Sequence, residues 1–162
     1  NLSAIQFNDT HLIKRVIEIL DKTHYPASQL EFEVTESLLM SDIESTIQKL
    51  NAFADLGMKI AIDDFGTGYS SLAYLKRFPV SKLKIDKAFI DDITEPDSTD
   101  GAIVQATIQM ANALNITTIA EGVEQQAQFE ILKTMGCNEI QGYYFSKPLP
   151  FETLVKFIET HS

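Results

Sequence analysis

The chain has 162 residues, of which 44% are hydrophobic and 22% charged, and its formal net charge is −10. This length and composition are typical of one globular domain and exclude a disordered chain, while the acidity argues against binding to a nucleic acid polymer. Cys137 is the only cysteine, so no internal disulfide or thiolate metal site is expected, and we expect no membrane-spanning segment because no apolar run approaches the ~18 residues that one needs.

Short β-rich runs alternate with runs of helical spacing along the chain. The β-rich runs predict parallel strands over 30–35, 58–63, 82–86, 116–121 and 138–142. Apolar residues at helical spacing predict helices over 9–23, 42–57, 101–115, 126–136 and 151–161. Gly57 is the expected C-terminal stop of the second helix. Strands that alternate with helices in this way indicate βα units and a parallel sheet.

The residue pattern within the strands distinguishes an open doubly wound sheet from a closed barrel. In the first strand, Phe32 and Val34 share one face while Glu33 lies on the other. The second strand repeats the pattern, with Ile62 and Asp63 on opposite faces. A strand of an open parallel sheet is covered on both faces and should be apolar on both. We therefore predict an α/β fold of the (β/α)8 TIM type, whose polar face lines the barrel.

The predicted barrel is incomplete at its N-terminal side. Only five full strands are visible in the sequence, with the end of a sixth at Asn1. We therefore expect the first strands of the barrel to be missing, which leaves an open edge through which two copies of the chain could pair.

Polar side chains lie at or just beyond the predicted end of every strand. They are Glu33, Asp63, Asp64, Lys84, Glu121 and Gln141. One carboxylate near a loop is ordinarily a solvated charge, but repetition over five strands indicates a site at the C-terminal mouth of the barrel. Two carboxylates about 4 Å apart repel by roughly 4 kcal/mol at an effective dielectric near 20, so a cation is expected among them.

The ligand chemistry of this constellation points to hard divalent ions. Oxygen ligands without Cys or His favour Mg²⁺ or Mn²⁺ over zinc. The adjacent carboxylates of Asp63 and Asp64 suit two ions, and two-metal sites are typical of phosphodiester hydrolysis.

The turn "FGTGYSS" follows the aspartate pair at 65–71. Gly66 and Gly68 allow a tight backbone path with positive φ. The turn is either an ordinary βα connection or a mobile loop beside the metal pair. It is not a dinucleotide-binding fingerprint, because no third glycine follows at the required spacing.

Several motifs, in order and spacing, resemble the EAL-domain family of cyclic-di-GMP phosphodiesterases. They are "FEVTES", "DDFGTGYSSL", "LKIDKAFI", "AEGVE" and "QGYYFSKPLP", and the opening "NLS" is similar to the family's Asn-x-Ser element. The resemblance implies a (β/α)8-type barrel that hydrolyses cyclic-di-GMP to linear pGpG with two Mg²⁺ or Mn²⁺ ions. The Glu-Ala-Leu motif itself is absent from the sequence. We therefore expect residues 1–162 to be the C-terminal two-thirds to three-quarters of an EAL domain, weak or inactive without the rest.

The resemblance also implies a role for each matching residue. The implied metal ligands are Asn1, Glu33, Asp63, Asp64 and Glu121, with Asp63 bridging both ions. The implied catalytic residues are Lys84, which holds the nucleophilic water, and Glu121, which acts as a general base. The implied substrate-binding and loop-supporting residues are Glu36, Gly66, Thr67, Gly68, Glu124, Gln141, Tyr144 and Pro148. Asn1, Glu36 and Glu124 rest on the resemblance alone.

Two interpretations of the aromatic run at 143–145 stay open, namely core packing and stacking against a purine at the barrel mouth.

Two further functions compete with hydrolysis. One is a non-catalytic cyclic-di-GMP receptor of the same fold, and the other is a dimerisation scaffold. The retained metal-ligand set favours the enzyme. The expected partners are cyclic-di-GMP, a second copy of the chain with or without segment exchange, and cyclase or sensory domains elsewhere in the parent protein. The expected location is the cytoplasm.

Overall fold

The computed structural model describes residues 1–39, 42–66, 72–95 and 98–161. Within these ranges, parallel strands form one sheet in the order β1-β2-β3-β4-β5. The strands are β1 (Glu31–Thr35), β2 (Lys59–Phe65), β3 (Lys82–Ile85), β4 (Thr117–Ala120) and β5 (Glu139–Ile140). The spatial order follows the chain order without the reversal of a doubly wound sheet. The sheet is therefore consistent with the incomplete TIM-type barrel that the sequence predicts.

Helices connect the strands and cover one face of the sheet. They are α1 (Ala4–Phe7), α2 (Leu12–Thr23), α3 (Glu36–Leu39), α4 (Ile43–Asp55), α5 (Leu72–Leu75), α6 (Lys87–Asp91), α7 (Thr99–Ala113), α8 (Gln126–Met135) and α9 (Phe151–His161), with a short 3₁₀ turn over Ala27–Gln29. The five predicted helices are confirmed as α2, α4, α7, α8 and α9. The other four were not predicted, because four or five residues are too few to establish a helical period.

Side chains of two residues explain where the longer helices begin. Asp42 precedes α4, and its carboxylate accepts a hydrogen bond from the Ser45 amide at 3.3 Å. Ser98 precedes α7 and accepts from the Gly101 amide at 3.3 Å. Such caps satisfy amides that have no partner within the helix. Gly57 follows α4 with φ +87°, as expected of a glycine that stops a helix.

The apolar face of the sheet packs against the helices. The Phe32 ring meets Phe53 of α4 edge to face, with ring centroids 4.9 Å apart. Ile62 of β2 is completely buried in the same cluster. Ile85 of β3 is buried in a neighbouring cluster with Ile108 of α7. The predicted assignment of strand faces is therefore confirmed, and it leaves the polar face free to build a site.

No helix in the described ranges is both long and apolar enough to cross a membrane.

Gly142 lies where the chain beyond β5 crosses the backbone beyond β4. The Val123 amide donates to the Gln141 carbonyl at 3.1 Å, and the Tyr144 amide donates to the Val123 carbonyl at 2.9 Å. A Cβ atom on Gly142 would lie 2.0 Å from the Val123 carbonyl oxygen. Only glycine therefore allows the two segments to approach so closely.

We expect Gly142→Ala to lower the free energy of unfolding by about 3 kcal/mol, because the two backbones would have to separate. Urea denaturation measures the change. Gly101→Ala is the matched control, since a Cβ atom there meets nothing closer than 3.8 Å and the residue lies in α7. The control should be neutral or stabilising by up to about 1 kcal/mol. Equal stabilities of the two variants would contradict the close approach.

Candidate active site

Three carboxylates surround the ammonium group of Lys84 on the polar face of the sheet. Lys84 Nζ lies 3.1 Å from Glu33 Oε2, 3.0 Å from Asp63 Oδ1 and 2.9 Å from Glu121 Oε1. Glu33 lies in β1, Asp63 in β2 and Lys84 in β3, and Glu121 directly follows β4. Four consecutive strands thus contribute one charged group each to the same point, as expected for the interior of a barrel.

Lys84 is a buried cation. Its side chain is only 9% exposed. Burial by itself lowers the pKa of Lys84, but hydrogen bonds to Glu121, Asp63 and Glu33 outweigh that effect and raise the pKa well above its usual value. The group therefore stays protonated and can donate hydrogen bonds, but it cannot serve as a base near neutral pH.

Asp63 and Asp64 are brought to the site together by a bulge in β2. Ile62 pairs with Leu83 and Phe65 pairs with Ile85, so two residues of β2 face the single residue Lys84. Asp64 adopts φ +53°, a left-handed conformation that aspartate tolerates better than most residues. Regular alternation would have turned Asp64 toward the helices, so the bulge makes the aspartate pair possible.

Asp64 lies in a negatively charged environment. Partial burial raises the pKa of its carboxyl group, and the nearby charge of Asp63 raises it further. A hydrogen bond with Asp86 and the charges of Asp86 and Glu121 act in the same direction. The carboxylates of this site therefore repel one another, and additional positive charge would stabilise their ionised forms.

A second group of ion pairs lies on the same face of the sheet, nearer the N-terminal ends of the strands than the Lys84 cluster. Lys82 Nζ is 2.8 Å from Glu139 Oε2 and 3.5 Å from Glu31 Oε2, which ties β3 to β5 and to β1. Burial lowers the pKa of Lys82, but the hydrogen bond to Glu139 and the charge of Glu31 raise it overall. These residues were not among those predicted for the site. For Lys82 and Glu31 the available signal was their spacing of two from Lys84 and Glu33, which places them on the same strand face.

Glu36 connects the end of β1 to the turn after β2. Its side chain is 2% exposed at the start of α3, and its Oε2 accepts a hydrogen bond from the Gly66 amide at 2.9 Å. Gly66 has φ +101°, and a Cβ atom there would lie 3.1 Å from the Phe89 ring. Thr67 and Gly68, which were also predicted to support this turn, lie outside the described residues.

A cavity of about 350 Å³ opens beside Glu121. Its lining residues are Lys87, Glu121, Gly122, Glu124, Gln141, Gly142 and Tyr143. Lys87 forms an ion pair with Glu124 at the rim and lies 3.5 Å from Asp91. A neighbouring groove contains Pro148 and shares Gln141 and Tyr143 with the cavity. The cavity therefore combines carboxylates, an amide and an aromatic ring next to the Lys84 cluster.

The structure places some predicted residues differently from their expected positions. Glu33, Asp63 and Lys84 lie within their strands rather than at the strand ends, because β1, β2 and β3 each continue past the polar residue. Gln141 lies outside β5, which ends at Ile140, and is exposed.

The aromatic run lies at the surface beside α8 and is not part of the buried core. The Tyr144 ring stacks on Phe129 of α8 with centroids 5.4 Å apart, and it does not line the cavity beside Glu121. Tyr143 lines that cavity instead and is 55% exposed. Neighbouring residues after a strand point in different directions, so the sequence alone could not tell which tyrosine faces the site.

Asn1 lies beside β1. The Leu2 amide donates to the Glu33 carbonyl at 2.9 Å, which holds the first residues along the free edge of that strand. The Asn1 side chain is exposed.

The donor set fits hard divalent cations. As they stand, no group of three or more Asp, Glu, His or Cys side chains in the described ranges could hold a metal ion, and the carboxylates point toward Lys84 instead. Three carboxylate oxygens each lie within 3.1 Å of the same nitrogen, so any two lie within about 6 Å of each other. Carboxylate oxygens are the ligand type that Mg²⁺ and Ca²⁺ prefer.

The chain is similar in sequence to known proteins over most of its length. A family model described as "EAL domain" matches residues 1–148. The chain is 46% identical over 155 residues to the bifunctional diguanylate cyclase/cyclic di-GMP phosphodiesterase MucR of Pseudomonas aeruginosa, covering 96% of this chain and 22% of MucR. It is 43% identical over 161 residues to the cyclic di-GMP phosphodiesterase NbdA of the same organism, covering 99% of this chain and 20% of NbdA. The chain spans about a fifth of the length of the curated relatives it matches.

Solved structures show the same fold with ligands. The MucR phosphodiesterase in complex with c-di-GMP matches with a TM-score of 0.91 and 46% identity, over 95% of this chain and 62% of the other. BlrP1 of Klebsiella pneumoniae, in complex with manganese and c-di-GMP, matches with a TM-score of 0.79 and 34% identity, over 88% of this chain and 36% of the other. A calcium complex of BlrP1 matches equally well.

Proposed function

Because the chain belongs to the EAL domain family, we propose that it forms the larger part of a metal-dependent phosphodiesterase domain that hydrolyses cyclic-di-GMP to linear pGpG. The observation that carries the proposal is the cluster in which Glu33, Asp63 and Glu121 converge on Lys84 within 3.1 Å. A buried cluster of this kind costs desolvation energy, so a merely structural role would be served as well by apolar residues. Acidic oxygens around a fixed cation instead suit the binding and cleavage of a phosphodiester.

We assign the metal to the oxygen ligands of the cluster. Two Mg²⁺ or Mn²⁺ ions would be held by Asn1, Glu33, Asp63, Asp64 and Glu121, with Asp63 between them. When bound, the ions would supply the positive charge that polarises the phosphodiester and lowers the pKa of water. The bulge at Asp63 and Asp64 supports this assignment because it directs two adjacent carboxylates to one site.

The protein's own residues have separate roles in this proposal. Lys84 stays protonated and donates hydrogen bonds to the nucleophilic water and to the phosphate oxygens. Glu121 accepts the proton of that water at its Oε1 atom, which lies 2.9 Å from Lys84 Nζ. Glu36 holds the turn at Gly66 by its hydrogen bond. Glu124 and Gln141 line the cavity, and Pro148 lies with Tyr143 in the neighbouring groove. In this proposal the cavity takes the substrate, and Pro148 and Tyr143 border a guanine.

The proposal extends to the protein that carries this chain. We propose that it forms homodimers, with or without segment exchange, that it works in the cytoplasm, and that cyclase or sensory domains regulate it. Exposed apolar side chains on α9, such as Phe151 at 79% and Ile158 at 53% exposure, support an association with further protein surface. The bifunctional description of the MucR relative supports the presence of signalling domains.

The deciding experiment incubates the intact protein with cyclic-di-GMP and separates the products by chromatography. We expect pGpG to accumulate with Mg²⁺ or Mn²⁺ and not after treatment with EDTA. Adding back either ion should restore the activity, which controls for irreversible damage by the chelator. Binding of cyclic-di-GMP without turnover in any divalent ion would contradict the enzyme and favour the receptor.

A further inference from the structure

The structure assigns a positioning role to Gln128, a buried residue of α8 that the sequence motifs did not single out. We infer that its side chain holds the loop between β4 and α8 in the shape that presents Glu121 and Glu124 to the site. The catalytic consequence of this inference rests on the proposed phosphodiesterase function, whereas the positioning itself does not.

The Gln128 side chain joins three backbone groups. It is only 2% exposed. Its Oε1 accepts hydrogen bonds from the Glu124 amide at 2.9 Å and from the Gln125 amide at 3.0 Å. Its Nε2 donates to the Ile90 carbonyl at the end of α6, at 3.0 Å. One buried amide thus connects the loop to a different helix.

The loop needs such a support because its backbone is unusual. Gly122 has φ +70°, and a Cβ atom there would lie 2.5 Å from the side chain of Lys87, so the chain turns tightly against α6. The Glu121 amide is held by the Ile85 carbonyl at 3.1 Å, and the Val123 amide by the Gln141 carbonyl at 3.1 Å. These bonds fix the near end of the loop to the sheet, and Gln128 fixes its far end.

The contact between Lys87 and Glu124 cannot replace Gln128. The two side chains form an ion pair, but both are about half exposed, at 46% and 48%. Exposed ion pairs contribute little and are screened by salt. The hydrogen bonds of Gln128, one buried and two partly buried, are the stronger constraint, since their loss would take the acceptor from the Glu124 and Gln125 amides.

Glutamine also fits this position better than methionine or glutamate, the two amino acids closest to it in size. Methionine has a similar length but can neither accept from the two amides nor donate to Ile90. Glutamate keeps the oxygen acceptors but loses the donor. The two substitutions therefore separate the contacts to the loop from the contact to α6.

We expect Gln128→Met to weaken Mn²⁺ binding about tenfold in calorimetry of the intact protein, because residues that orient metal ligands typically affect affinity by 10–100-fold. Hydrogen–deuterium exchange of the segment 121–125 should become at least about tenfold faster, since two amides lose their acceptor. Gln128→Glu should keep the slow exchange of these amides and weaken Mn²⁺ binding by about threefold. The matched control is Gln126→Met, a substitution of an exposed glutamine in the same helix turn. It should change neither the Mn²⁺ affinity nor the exchange of the segment 121–125.

The measurements distinguish positioning from a general loss of structure. A merely destabilised variant would bind Mn²⁺ with wild-type affinity at a reduced stoichiometry, and that result would overturn the inference. Wild-type affinity and wild-type exchange in Gln128→Met would overturn it as well. If that variant does not fold, Gln128→Glu decides, and a wild-type Mn²⁺ affinity there counts against the inference. A wild-type protein that binds no Mn²⁺ and cleaves no cyclic-di-GMP refutes the proposed function, while the exchange data still test the positioning.

Discussion

Asp63→Asn is expected to lower the rate of cyclic-di-GMP hydrolysis by on the order of 10³-fold or more. The substitution keeps the shape of the side chain but removes the charge that the proposed site uses to hold both metal ions. An amide cannot balance two divalent cations, so the affinity for Mn²⁺ should fall as well. The bulge in β2 should survive, since it depends on the pairing of Ile62 and Phe65 with β3 and not on the charge of Asp63.

Binding of cyclic-di-GMP should suffer less than turnover in this variant. The guanine and phosphate groups keep their other contacts, while the charge that develops in the transition state loses its main stabilisation. The measurement compares the hydrolysis rate with the dissociation constant from calorimetry. Asp92→Asn serves as the control, because Asp92 is an exposed aspartate outside the cluster and should retain wild-type activity. Near-normal turnover by Asp63→Asn would contradict the two-metal assignment.

Lys84→Met should lose hydrolysis to a similar degree and should also destabilise the metal-free protein. Without the ammonium group, the carboxylates of Glu33, Asp63 and Glu121 would face one another with no counter-charge. Breaking a buried ion cluster by removing one partner costs about 3 kcal/mol or more. The melting temperature in EDTA should therefore fall clearly below that of the wild type.

Divalent ions should partly reverse this destabilisation. In the proposed site, Mn²⁺ would bind only the folded protein and supply the missing positive charge, so it should raise the melting temperature of Lys84→Met more than that of the wild type. Lys82→Met is the matched control on the same strand and face, where the ion pairs with Glu31 and Glu139 are lost instead. The control should show no extra stabilisation by Mn²⁺ and should keep most of its activity. Equal stabilisation of both variants would mean that the Lys84 cluster is not where the metal binds.

The local pattern of residues was sufficient to predict the architecture. Alternation of apolar and polar residues in "LEFEVT" and "KLKID" identified the helix-facing and the polar faces of β1 and β3, because the side-chain period of a strand is two. The repeated strand-helix spacing predicted a parallel sheet, and the strand faces favoured a barrel over a doubly wound sheet; the observed parallel strands in chain order agree with both predictions. The same patterns selected Glu33, Asp63, Lys84 and Glu121, which do meet, because they lie on one face of neighbouring parallel strands.

Tertiary structure decided the features that depend on contacts between distant segments. The bulge that brings Asp64 beside Asp63 follows from the pairing of β2 with β3, and no local pattern predicts it. Whether Tyr143 or Tyr144 faces the cavity depends on the packing of Phe129 against the chain after β5. Gln128 looked like one polar residue among many in α8, and only folding brings the Ile90 carbonyl within 3.0 Å of its amide. The sequence by itself thus determined which faces are polar and which strands carry charge, whereas the fold determined which groups touch, because contact requires residues far apart in the chain to share one point in space.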